Sequence, residues 1–118
     1  SEMCIRDRFQ TAVGACLESS PEGNCSDAEH GPIGEWDVSK VTDMNSMFDL
    51  ASSFKQNLSK WKVSSVKNMG TMFNDASSFN QKLCGEAWVN SKADKVDMFI
   101  GSRGSISSTV CGAWSMVH

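Results

Sequence analysis

The 118-residue sequence has no tyrosine, two prolines and two histidines, so its aromatic set is four Trp and six Phe. No apolar run exceeds four residues, which is far short of the roughly 20 a membrane-crossing helix needs. Eleven Lys and Arg are nowhere clustered and stand against fourteen Asp and Glu, for a formal net charge of -3. That balance excludes the basic footprint of a nucleic-acid binder. No Cys-x-x-Cys occurs, and His30 and His118 lack ligand spacing, which argues against zinc. Nothing assembles a Ser-His-Asp, Cys-His or paired-carboxylate constellation, because the one internal histidine, His30, sits in a Gly/Pro loop. The chain is therefore expected to be no enzyme and to hold no cofactor. Its length fits one small domain or a slice of a longer array.

What is present begins with cysteine. Ser1 to Arg8, "SEMCIRDR", fits no element that follows and has no apolar core of a signal peptide. Its "EMCIRDR" part resembles the translated end of a transposase adapter from shotgun libraries, so the native sequence is expected to start near Phe9. The alternative is a short disordered N-terminus. Without Cys4, four cysteines remain and allow three connectivities. Cys16–Cys25 and Cys84–Cys111 are favoured, since each pair closes one terminal region locally, contributing roughly 3 to 4 kcal/mol. Two bridges imply an oxidising compartment, hence an extracellular or cell-surface location. The alternative is four small buried thiols in a cytosolic protein.

The central feature is a repeat. "WDVSKVTDMNSMFDLASSFKQNLSK" (Trp36 to Lys60) aligns with "WKVSSVKNMGTMFNDASSFNQKLCG" (Trp61 to Gly85), and thirteen of twenty-five positions are identical. Nine of those are apolar, while Asp37 becomes Lys62, Lys40 becomes Ser65 and Asp43 becomes Asn68. A catalytic or metal-binding repeat would hold its acids or histidines and let the filler drift. Here packing is what repeats.

Val41, Met44, Met47, Phe48 and Ala51 share one face of a short helix by their spacing, and Val66, Met69, Met72, Phe73 and Ala76 repeat it. Ser39 and Ser64 stand ahead as caps, "ASSF" is a turn that sends Phe54 or Phe79 to the core, and Asn57 to Val63 alternates like a strand with Leu58, Trp61 and Val63 inward. The expected fold is an α/β solenoid, leucine-rich-repeat-like, with one short strand and one short helix per coil. Trp36, Val38, Leu83, Trp88, Met98 and Phe99 complete the expected core, residues 86–99 being a degenerate third coil. Phe9, Ala12, Val13, Cys16 and Leu17 mark an N-terminal helical cap within residues 9–35. Residues 100–118 form an irregular C-terminal cap closed by Cys111 and covered by Trp114. The array spans 36–99 (36–60, 61–85 and 86–99), and residues 1–8 lie outside it.

The pattern W-x-V-S-x-V-x-x-M-x-x-M-F-x-x-A-x-x-F-x-Q-x-L resembles the BspA-like surface-protein repeat, a family similar to leucine-rich repeats and long catalogued as a domain of unknown function. The match covers Trp36 to Leu83 and weakens through Phe99. The resemblance implies an adhesive or ligand-binding surface in a secreted or surface-displayed protein, with no active site. This chain departs from the family in showing two clear repeats where arrays are usual.

The varying outward residues Asp37, Lys40, Asp43, Lys62, Lys67 and Asn68 are the candidate recognition face, a solvated face being the bland reading. Asp49, Asn74 and Asp75 more often end helices than bind calcium. Asn24 and Asn57 head glycosylation sequons, neither expected to be fully occupied, since Asn24 adjoins a disulfide and Asn57 a buried strand residue. Gln56 and Gln81 suit a side-chain amide ladder. The expected function is a monomeric, non-catalytic module binding protein or glycan. The alternative is a structural spacer whose activity resides in a neighbouring domain.

Overall fold

A computed structural model describes residues 2–25 and 31–111. Helix α1 spans Glu2–Ser19, and its buried Phe9, Val13 and Cys16 recur at helical spacing on the face turned to the core. It begins seven residues ahead of Phe9, so residues 2–8 continue the cap helix. Pro21 follows shortly after its last turn, where a ring without an N–H cannot extend the helix. The chain reverses through Gly23 at a φ of 91°, where a Cβ would come within 2.6 Å of the Phe54 ring. The disulfide Cys16–Cys25, with Cα atoms 5.6 Å apart, pins this reversal to the helix.

A 3-10 turn at Ile33–Glu35 leads into the repeat region. Beyond it the regular elements are few: strand β1 (Lys82–Leu83), the single-turn helix α2 (Glu86–Val89) and strand β2 (Ser105–Ile106). The strands pair in parallel, Lys82 with Ser105 and Leu83 with Ile106. Cys84–Cys111 closes this end, Cα atoms 4.9 Å apart, and the Cys111 N–H donates to the Cys84 carbonyl at 2.7 Å. Trp114 lies outside the described residues.

The expected solenoid of one strand and one helix per coil is not formed. In its place is a small disulfide-bonded domain in which residues 41–51 and 66–76 hold turns in place of helices, and 57–63 holds no strand. The reason is visible in the backbone. Ser46 and Leu50 have φ of 59° and 65°, and their counterparts Thr71 and Asp75 have 51° and 56°. A left-handed residue every fourth position ends any α-helix before a second turn. The remaining N–H groups turn outward along the row. Met44, Ser46, Phe48 and Leu50 donate to the carbonyls of Asn68, Gly70, Met72 and Asn74 at 2.8 to 3.0 Å. Met69, Thr71, Phe73 and Asp75 donate in the same way to Asp94, Val96, Met98 and Ile100 at 2.7 to 2.9 Å. Ser39 does not cap a helix; its N–H and hydroxyl both donate to Asp37 Oδ1.

Three segments, 42–50, 67–75 and 94–100, thus lie side by side, and the core runs beneath them. Buried there are Val38, Val41, Met44, Met47, Phe48, Phe54, Leu58, Trp61, Val63, Val66, Met69, Met72, Phe73, Ala76, Phe79, Leu83, Trp88 and Met98. Trp36, Ala51 and Phe99 are half-buried against them. The ring planes of Phe48, Phe73 and Phe99 are within 3° of parallel at successive centroid spacings of 5.5 Å. Phe54 stacks on Phe48 at 4.3 Å and Phe79 on Phe73 at 4.2 Å. Such stacking adds about 0.5 to 1.5 kcal/mol per pair to the burial itself. The next position of the Phe54–Phe79 column is Gly104, where a Cβ would reach within 2.5 Å of the Phe79 ring; backbone covers that ring instead.

The indoles fasten the segments to each other. Trp61 Nε1 donates to the Ile33 carbonyl at 2.9 Å and Trp88 Nε1 to the Leu58 carbonyl at 2.7 Å, both inside the protein. Each carbonyl also accepts a backbone N–H, from Trp36 and Trp61 respectively, so the indole bond satisfies the buried ring N–H and gives the carbonyl a second donor.

Candidate interaction surface

The six polar residues of the expected recognition face separate into two groups. Asp37, Asp43 and Asn68 work locally, each accepting the N–H two residues on: Ser39 at 3.0 Å, Asn45 at 2.9 Å and Gly70 at 2.9 Å. Asp94 does the same for Val96 at 3.0 Å. These are Asx turns, and those at Asp43, Asn68 and Asp94 start the three rows of turns. Ser39's hydroxyl and then its N–H hold the Asp37 carboxyl below the usual aspartate pKa, against an opposing desolvation and with smaller help from the Lys40 and Lys62 charges. Asp37, Lys40 and Lys62 therefore share one neighbourhood. Lys40, Lys62 and Lys67 have exposed side chains.

A groove of about 440 Å³ runs between the Trp61 stretch and α2, lined by Ser59, Lys60, Lys62, Glu86 and Asn90 over an apolar floor of Trp61 and Ala87. Asn24 and Asn57 line another depression together, with Pro32, Gln56 and Lys60. Asn57 is exposed in a turn, its Oδ1 accepting the Ser59 N–H at 2.9 Å, so the strand expected around it is corrected. Gln56 and Gln81 form no ladder: Gln81 Nε2 donates to the Lys55 carbonyl at 3.4 Å. The side-chain ladder lies elsewhere, with Ser46 Oγ to Thr71 Oγ1 at 2.7 Å and Asn74 Nδ2 to Asp49 Oδ1 at 3.0 Å. Asp49 and Asn74 thus brace neighbouring segments. Among the described residues no three His, Cys, Asp or Glu side chains group as metal ligands.

The apolar exposure was missed by reasoning from constant positions. Leu50, Val96 and Ile100 are 67%, 62% and 57% exposed. The available signal was the alignment of Leu50 with Asp75, since a position that takes an acid in one repeat faces outward in the other.

The two edges of the three-segment layer differ. At the first edge α1 lies alongside, and Arg6 Nη2 donates to the Asn45 carbonyl at 3.0 Å. Arg6 Nε lies 3.3 Å from Asp43 Oδ2, an ion-pair contact without hydrogen-bond alignment. At the last edge stands 94–100, carrying Val96, Ile100 and the half-buried Phe99. No helix among the described residues is long and apolar enough to cross a membrane.

A family model described as Mycoplasma protein of unknown function, DUF285, matches residues 23–114. No curated protein and no solved structure matches the chain.

Proposed function

The chain belongs to the DUF285 family, and we propose that it is a non-catalytic binding module, related to the BspA-like repeat proteins, in a secreted or cell-surface protein. Its ligand class is protein or glycan. The observation that carries the reading is the pair of disulfides, one fastening each end of the domain. Such bridges persist in oxidising compartments and are rare in the cytosol. Adhesion agrees with a chain whose repeated residues fill the interior and whose surface positions vary. Exposed Leu50, Val96 and Ile100 favour a protein ligand over a glycan, because the repeat's own aromatic rings lie in or against the core.

The spacer reading has one observation in its favour, the same inward placement of the Trp and Phe residues. Two measurements separate the outcomes. Intact mass after alkylation should show Cys16, Cys25, Cys84 and Cys111 unmodified in protein folded without reductant; four alkylated thiols in a folded chain would remove the extracellular reading. Saturable binding to arrayed extracellular proteins or glycans supports the module, and a folded, disulfide-bonded chain silent on both arrays is a spacer.

A further inference from the structure

The last edge of the three-segment layer has a polarity that follows from the trans peptide. Across a planar trans unit, the C=O of one residue and the N–H of the next point in opposite directions. Among the described residues no cis peptide occurs. The carbonyls of Asp94, Val96, Met98 and Ile100 all point back to segment 67–75, whose N–H groups they accept. The N–H groups of Lys95, Asp97, Phe99 and Gly101 must then point outward, away from the domain. Among the described residues none of these four has a hydrogen-bond partner. The four residues are exposed or half-buried.

This edge differs from that of an ordinary β-sheet, where outward donors and acceptors come from the same residues and copies can pair. Here the direction is reversed only at the start, where the Lys67 and Asp94 N–H groups donate to the Thr42 and Lys67 carbonyls and the outward Ala93 carbonyl accepts from Lys95 Nζ. From Lys95 to Gly101 the peptides are oriented one way and offer a row of donors. The opposite edge offers carbonyls, and there Arg6 already donates to Asn45. Two copies meeting at their last edges would set N–H against N–H, so this edge does not support a symmetric dimer. Its complement is a chain that presents carbonyls at alternate residues. The two preceding rows are filled in that way, 44–50 by 68–74 and 69–75 by 94–100. An apolar anchor lies on the same segment: Phe99 stacks on Phe73 by one face and is only half-buried, and Val96 and Ile100 are exposed.

We propose that this edge docks a polypeptide segment of a partner protein, carbonyl side first, with an aromatic or apolar side chain laid against Phe99. The partner's backbone supplies the acceptors, and side chains over Val96, Phe99 and Ile100 supply selectivity, as in other recognition modes that extend an edge. The proposal rests on the binding-module reading and narrows its ligand to protein.

The probe is a synthetic peptide of residues 66–79, because its 68–74 part presents the carbonyls that fill the equivalent row within the domain. It is titrated into the full, disulfide-bonded chain labelled with ¹⁵N. The expected result is saturable downfield amide-proton shifts at Lys95, Asp97, Phe99 and Gly101, with a scrambled peptide at least tenfold weaker. The double variant Val96→Lys/Ile100→Lys, both sites exposed, should keep the spectrum of the folded chain and bind at least tenfold more weakly. No shift at these four amides at millimolar peptide overturns the proposal, as does binding unaffected by the double variant. Protein or glycan binding on the arrays whose shifts map to another face also overturns it, while leaving the binding-module reading in place.

Discussion

Replacing Gly85 by Ala and Gly14 by Ala should move stability in opposite directions. Gly14 lies in the exposed part of α1, and a Cβ there would meet nothing within 4 Å. Alanine at such a position removes the conformational freedom that glycine loses on folding, stabilising by about 0.5 to 1 kcal/mol. Gly85 precedes α2 with φ of -62°, a conformation alanine adopts without strain. By backbone preference alone, alanine would stabilise there too, by about 0.4 to 1 kcal/mol. Its Cβ, however, would collide with the Ser59 carbonyl oxygen, which belongs to backbone of the preceding segment. The neighbouring Trp88 indole is tied to Leu58, and Cys84 to Cys111, so neither wall can withdraw freely. Overpacking of this kind costs about 1 to 3 kcal/mol, and a clash with fixed backbone lies toward the upper end, leaving a net loss of up to about 2.6 kcal/mol. Urea denaturation of the oxidised chain reads both: the midpoint should rise for Gly14→Ala and fall for Gly85→Ala, with m unchanged. A stabilised Gly85→Ala variant would refute the close contact between these segments, and with it the side-by-side packing on which the account stands.

Three further outcomes follow from the same geometry. Reducing the disulfides, which close separations of 9 and 27 residues, should cost about 2.6 and 3.6 kcal/mol by chain entropy, read as a lower urea midpoint in reductant. An unchanged midpoint would contradict bridges that constrain the ends. Trp88→Phe removes the indole donor from the Leu58 carbonyl inside the core and should destabilise by about 2 to 4 kcal/mol, whereas a loss below about 0.5 kcal/mol would contradict that bond. Asp37 should titrate below the usual aspartate value by NMR, and Ser39→Ala should raise its pKa; an unmoved Asp37 contradicts the turn. Because the folded-state value is the lower one, its stabilising contribution is present at neutral pH and fades as pH falls through that value.

The cysteine pairs were legible because each joins neighbours in sequence around a terminal loop, and proximity in sequence made them the economical choice of three. The conformation of the repeat was not. Val41, Met44, Met47 and Phe48 are spaced as on a helix face, but a row of turns with left-handed residues at 46 and 50 buries the same four. Periodicity reports which side chains point inward and leaves open where the backbone hydrogen bonds go. Nothing about Leu50 or Thr71 as residue types announces a positive φ; non-glycine residues take it at a cost when neighbouring segments fix the peptides. The helix over residues 2–8 escaped for another reason, since Arg6 finds its partners, Asp43 and the Asn45 carbonyl, far along the chain. The row of four outward donors was also out of reach, because peptide orientation carries no signature in side-chain identity.

The central claim is that three rows of turns are joined by backbone hydrogen bonds that, past one reversed bond at the start of each row, run in one direction, and that the last row leaves four donors unpaired. Amide hydrogen exchange, resolved by residue on the oxidised chain alone, tests it most directly. The account predicts slow exchange at Met44, Phe48, Met69 and Phe73, whose N–H groups are bonded across segments, and fast exchange at Lys95, Asp97, Phe99 and Gly101. Equal protection of all three rows in the isolated monomer would contradict the open edge, and fast exchange at Met69 and Phe73 would contradict the layer itself.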